Sequence, residues 1–128
     1  PPIDVALGMT AVLAAWLGKF DEARRACDVL SEKHSSNLVL MTAVAYAWAK
    51  QGRTRDAVSL AKKLETPGTL RAPSTHLAVI YAAAEDKKRS LELLRQARDE
   101  RCPWFPLVPI DPRFEDLADS TEFRSLFE

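Results

Sequence analysis

LVLMTAVAYAWAKQGRTRDAVSLAKKL, residues 38–64, is the stretch whose reading decides the fold. Its first half, residues 38–50, is apolar apart from Thr42 and Lys50 and rich in alanine, which predicts a mostly apolar helix. Gln51-Gly52 interrupts that pattern. From Thr54, which can cap a helix, Ala57, Leu60, Ala61 and Leu64 recur at three- and four-residue intervals, the spacing of an amphipathic helix with one apolar stripe. A helix, a tight turn and a second helix make a hairpin.

The same hairpin stands on both sides. Upstream, residues 5–17 (VALGMTAVLAAWL) predict a helix buried on much of its circumference, ended by Gly18. Residues 21–33 then carry Ala23, Ala26, Cys27 and Leu30 on one face, with acidic residues in the first turn and Lys33 near the last. Gly18 to Gly52, Ala23 to Ala57 and Leu30 to Leu64 are each 34 residues apart. Downstream, residues 65–73 hold the turn formers Pro67, Gly68 and Pro73, and a third pair follows over residues 75–84 and 89–100 around Glu85-Asp86. Here the offset is 33: Glu85 takes the Gly52 slot, Ser90 that of Ala57, Leu94 that of Ala61 and Ala97 that of Leu64. A near-constant offset held through turn and second helix is the mark of a stacked helical repeat. The expected fold is an all-α helical-hairpin solenoid of about three repeats, over residues 4–36, 37–70 and 71–102. Ala23, Ala57 and Ser90 are the small residues that let the paired helices approach.

After residue 100 the pattern changes. Residues 101–110 (RCPWFPLVPI) contain three prolines, which predicts an extended crossover that pins Trp104, Phe105, Leu107, Val108 and Ile110 against the last hairpin. Asp111-Pro112 reads as a helix start, followed by Phe114 and Leu117 on one face. Asp119 and Glu122 have capping-box spacing before Phe123, Leu126 and Phe127. Residues 103–128 are thus expected to be a proline-rich crossover and capping helices over the apolar end of a single domain, residues 1–128.

Composition narrows the function. The 128 residues carry 18 basic and 18 acidic side chains, so no net field draws in nucleic acid. The basic group Lys50, Arg53, Arg55, Lys62 and Lys63 reads as solvated charge at a turn. No run nears the roughly 18 apolar residues of a membrane span, so no membrane insertion is expected. Cys27 and Cys102 lie in no metal or redox spacing and read as free thiols, in keeping with a reducing, cytoplasmic setting. His34 and His76 have no metal-ligand spacing; no metal and no cofactor are expected. No phosphate loop, nucleophile elbow or acid pair is present, which points away from an enzyme. A chain that opens on Pro1 rather than Met is expected to be a piece of a longer protein.

The residues that carry the period resemble the tetratricopeptide repeat. They are Leu7, Ala11, Ala14, Gly18, Phe20, Ala23, Cys27 and Leu30 in the first unit, then Met41, Ala45, Trp48, Gly52, Ala57, Ala61 and Leu64 in the second, with Ala78, Tyr81, Glu85, Ser90, Leu94 and Ala97 in the third. The resemblance covers residues 4–100. Residues 81–101 and 110–127 are similar to the closing segment of such domains in bacterial multidomain regulators, among them adenylate cyclases, transcriptional activators and serine/threonine kinases. This implies a C-terminal interaction module in signalling or transcription regulation.

The resemblance further implies that first helices line a concave, peptide-binding face. Carried over, its positions are Val5, Gly8, Val12, Ala15 and Trp16, then Val39, Thr42, Tyr46, Ala49 and Lys50, then Ala72, Thr75, Val79, Ala82 and Ala83. The family's carboxylate clamp needs paired Lys/Arg and Asn, and only Lys50 qualifies. The expected ligand is therefore an apolar peptide or helix, from another protein or another domain of the parent, held by Val12, Trp16, Thr42, Tyr46, Lys50 and Val79. Two other readings stand beside it. These residues could pack within the domain or against an upstream repeat, or the chain could be a structural module that forms a homodimer through Val5, Met9 and Val12.

Overall fold

The computed structural model describes residues 2–33, 36–65 and 71–128, with side chains from residue 5 onward. They form α1 (Pro2–Trp16), α2 (Phe20–Lys33), α3 (Leu38–Lys50), α4 (Thr54–Glu65), α5 (Ser74–Ala83) and α6 (Lys87–Asp99), then two 3-10 helices (Phe105–Ile110 and Pro112–Leu117) and a short α7 (Thr121–Ser125). The turn expected at Pro67 and Gly68, and His34, lie outside the described residues.

Helices pair α1 with α2, α3 with α4 and α5 with α6; α3 lies across both α1 and α2, and α5 across α3 and α4. The result is an all-α stack of helix hairpins closed by a short helical C-terminus. Each hairpin turns on one residue in the left-handed region: Gly18 (φ 80°), Gly52 (φ 86°) and, in the third, Glu85 (φ 64°). The backbone bonds repeat too. Gly52 N–H donates to the Ala49 carbonyl and Arg53 N–H to Trp48, while Glu85 and Asp86 donate in the same way to Ala82 and Tyr81. Glu85 thus does a glycine's work at a local cost of about 1–2 kcal/mol.

Behind each turn, small residues meet. Ala11 and Ala23, Ala45 and Ala57, and Ala78 and Ser90 hold equivalent positions in the three hairpins, and all six are fully buried. Glu65 fastens the second hairpin to the third: its carboxylate accepts a 2.6 Å hydrogen bond from the Tyr81 phenol and pairs with Arg89.

Four sequence expectations are corrected. First, α1 is not buried on much of its circumference. Ala11, Ala14 and Ala15 face the stack, but Val5, Met9, Leu13 and Leu17 are 50–59% exposed. α3, of similar composition, is buried continuously from Leu40 to Ala47, because α1 lies on one side of it and α5 on the other. Composition reports readiness to be buried; a neighbour is needed to bury.

Second, residues 105–110 are not extended. A 3-10 helix this short needs few backbone donors, and Leu107 and Asp111 still donate to Trp104 and Val108 despite the prolines around them. Only Val108 of this segment is buried, whereas Trp104, Leu107 and Ile110 are exposed; Phe105 is half-buried and stacks on Phe127 at 5.0 Å. Third, the cap of α7 is Ser120, whose hydroxyl accepts from Phe123 N–H, not Asp119. Fourth, Thr54 is the first residue of α4 rather than its cap, since the Arg53 carbonyl accepts the helix's first bond from Ala57. In the tail, Phe114, Leu117, Phe123 and Leu126 are all buried, and the Pro112 helix packs on α5.

Candidate functional site

Between α1 and the tail the stack leaves a groove of about 420 Å³. Its near wall is α1, through Val5, Gly8, Met9, Val12, Leu13 and Trp16; its floor is α3, through Val39, Leu40, Thr42 and Ala43. Val79 and His76 of α5 and the turn Asp111-Pro112-Arg113 close the far side. The three- and four-residue spacing of the α1 residues puts them on one side of the helix, so a run without charge becomes a continuous apolar wall. At Gly8 the two helices are in close contact. A Cβ there would meet Leu40 Cδ2 at 2.9 Å, so a side chain at residue 8 would fill the floor.

The far side is polar and built. Arg113 grips Asp111 through two nitrogens, with its Nη2 2.6 Å from Oδ2. Asp111 also accepts from the Arg113 backbone N–H. Burial pushes the Asp111 carboxyl up, but these Arg113 bonds more than offset it and hold the group below the usual carboxylate range. The same guanidinium lies 5.7 Å from the centre of the Tyr46 ring. Burial, opposed by Arg113, pushes the Tyr46 phenol up to about 12. His76 sits beside them, its Nδ1 3.3 Å from the Thr75 hydroxyl and its ring edge-on to Trp104 at 5.4 Å. Burial, then Arg113, lowers its pKa and favours the neutral ring.

Of the residues singled out from sequence, Val12, Trp16, Thr42 and Val79 come together on this groove. Tyr46 does not line it; it is 2% exposed and covered by Arg113. Lys50 is exposed and lies off the lining. In the third hairpin Ala72, Thr75 and Val79 are buried, and the Pro112 helix packs on α5. It is thus the turn at residues 111–113 that closes the far end of the groove, while the α1 side is open. The contribution of His76, Asp111 and Arg113 was not visible in the sequence. Asp-Pro-Arg announces a capped turn and an ion pair, but not that the turn comes to rest against Tyr46, some 65 residues earlier in the chain.

Elsewhere the chemistry is quiet. Among the described residues no three His, Cys, Asp or Glu side chains gather as metal ligands do. Cys27 is buried, and burial, then Asp28, raises its thiol to about 11, so its nucleophilic thiolate is scarce. Cys102, half-buried, has its sulfur 3.7 Å from the Thr75 hydroxyl. Within the basic group, Arg53 pairs with Asp56 at 3.0 Å and lies over the Trp48 ring at 4.4 Å. None of the described helices is long and apolar enough to cross a membrane. Such an all-helical domain without catalytic motifs is consistent with a protein-interaction module. The chain matches no protein-family model, no curated protein and no solved structure.

Proposed function

We propose that this chain is a non-catalytic interaction module of the tetratricopeptide kind, which holds an apolar peptide or helix of a partner protein in the groove between α1 and the tail. The observation that carries this reading is the α1 wall: Val5, Met9, Leu13 and Trp16 are 39–59% exposed, side by side, above a floor opened by Gly8. Apolar surface of that kind, rimmed by polar groups, marks interaction sites. Trp16 supplies the large, rigid side chain on which binding energy concentrates. The polar far end, with Asp111 and Arg113 already paired to each other, offers no free charge for a carboxylate terminus. The ligand is therefore held by apolar anchors at helical spacing.

The 34- and 33-residue offsets and the tail's resemblance to the closing segments of bacterial regulators support a place at the C-terminus of a larger signalling or transcription regulator, acting in the cytoplasm. The test uses the Trp16 fluorescence of a Trp48→Phe, Trp104→Phe protein. Peptides of about four helical turns with leucine on one face are titrated against scrambled versions of the same composition. Saturable binding of the patterned peptides, lost with Val12→Glu and kept with Lys50→Glu, is expected. Equal response to patterned and scrambled peptides, or indifference to Val12→Glu, overturns the reading.

A further inference from the structure

Bond by bond, the side chains on the far side of the groove have donors left and no acceptor. Asp111 is saturated: Oδ1 accepts from the Arg113 backbone N–H and Nε, and Oδ2 from Nε and Nη2, which fills the roughly four lone-pair sites of a carboxylate. Arg113 can only donate. The third polar side chain there is His76, and its two ring nitrogens differ. Nδ1 lies 3.3 Å from the Thr75 hydroxyl, which is also 3.7 Å from the Cys102 sulfur. Imidazole nitrogen is a better acceptor than sulfur, so the hydroxyl proton goes to Nδ1 and the ring keeps its own proton on Nε2. Thr75 is buried and off the lining, so the Nε2 corner, across the ring from it, is the one left to the groove. No acceptor for Nε2–H stands among the described residues.

We infer, on the interaction reading of the groove, that His76 is a specificity-determining residue whose Nε2–H donates a hydrogen bond to a neutral side-chain carbonyl of the partner, the carboxamide of an Asn or Gln. The acceptor is neutral because the far side offers no net charge: Asp111 and Arg113 cancel, and burial, then Arg113, favours the uncharged imidazole. A carboxylate brought there would lose its water without gaining a counter-charge. The acceptor belongs to a side chain because a helical partner spends its backbone carbonyls within the helix, short of its last turn. A partner that is apolar throughout is disfavoured in the same way, since covering Nε2–H leaves a buried donor without an acceptor. Thr75 is the positioning residue: its hydroxyl fixes which nitrogen carries the proton.

The first measurement needs no partner. Long-range 1H–15N correlation at about pH 7.5 in a His34→Gln protein, where His76 is the sole histidine, reads the tautomer directly. A proton on Nε2 with a bare Nδ1 is expected, and a proton on Nδ1 overturns the inference. Leucine-faced peptides of about four helical turns, with a single Gln, Glu or Leu at successive positions of the apolar face, are then titrated while the same signal is followed. At one register Gln should move the Nε2–H proton downfield and bind about tenfold tighter than Glu, whereas the all-leucine peptide binds without that movement. Thr75→Val should cut the preference for Gln over Leu about threefold and leave the affinity for the all-leucine peptide as it is. If the all-leucine peptide binds but Gln moves nothing at any register, Glu matches Gln, or Thr75→Val leaves the preference intact, the groove stands and the role of His76 falls. If no peptide of any kind binds, both fall.

Discussion

The Ser90 hydroxyl donates a 2.8 Å hydrogen bond to the Ala78 carbonyl across the crossing of α5 and α6. Both residues are fully buried, and the equivalent places in the other hairpins are held by alanine pairs. Close approach is thus a property of all three crossings, and only the third adds a polar tie. Ala57→Leu should overpack the second crossing and cost about 1–3 kcal/mol. Ser90→Ala removes one bond and keeps the volume, for a cost of about 0.5–1.5 kcal/mol. Urea midpoints check both. An unchanged midpoint for Ala57→Leu would remove Ala57 from the interhelix contact.

Glu85 is exposed and adopts φ 64° in a turn where the other hairpins use glycine. Glu85→Gly should therefore stabilise the protein by about 0.5–1 kcal/mol, since relief of the left-handed backbone exceeds the entropy that glycine adds to the unfolded chain. Gly52→Ala, at φ 86°, should lose about 1–2 kcal/mol by the converse. Thermal melting of the pair decides the matter: a lower melting temperature for Glu85→Gly contradicts it.

His76 binds its proton less readily in the folded protein than in the unfolded chain, through burial and then Arg113. From about pH 6.5 downward the unfolded state takes up a proton that the folded state resists. Stability should hence fall as pH drops through that range until the folded ring itself protonates, and level off below. The measurement is the difference in pH dependence between the wild type and His76→Gln, which should lack this part of the slope. Identical slopes refute it.

Asp111 behaves oppositely at a lower pH. Its carboxyl is held below the usual range by Arg113 despite burial, so its contribution is present above about pH 3.9 and lost as pH falls towards its folded value. Asp111→Asn should flatten acid unfolding in that range, and a chemical-denaturation series at low pH reads it directly. No change in the acid slope would show that the pairing carries no stability.

Phe114 is 2% exposed beneath the tail, with its ring centre 6.3 Å from that of Phe123. Phe114→Ala should cost about 3–5 kcal/mol and loosen the cap over α5. Amide exchange in α5 should rise with it. Stability near that of the wild type would mean that the tail packs without closing the stack.

What could be read in advance divides along the chain. The hairpins were legible because their constraints are local or periodic: Gly18 and Gly52 stand where the backbone turns left-handed, and the small residues recur at fixed offsets. Even Glu85, a departure from the pattern, was placed by the residues around it. The tail was only half legible. Phe114, Leu117 and Phe123 declared their burial by spacing, but prolines that bar an α-helix say little about a 3-10 one. The groove was legible where it is made of helix faces, as at Val12, Thr42 and Val79. It was opaque at Tyr46, whose covering by Arg113 depends on how a distant turn comes to rest. α1 and α3 read alike and differ in exposure solely through what lies beside them.

The resting place of Arg113 has one more implication, for the size of what can be recognised. With the turn at residues 111–113 set against His76, Val79 and Tyr46, the chain's own C-terminus takes the space a ligand would need on the third hairpin. The open part of the groove spans two hairpins and ends at a fixed stop. On the proposed reading, a partner segment that enters along α1 would be measured against that stop, so lengthening it beyond α3 should add no affinity, whereas changing the residue that meets the Asp111–Arg113 pair should.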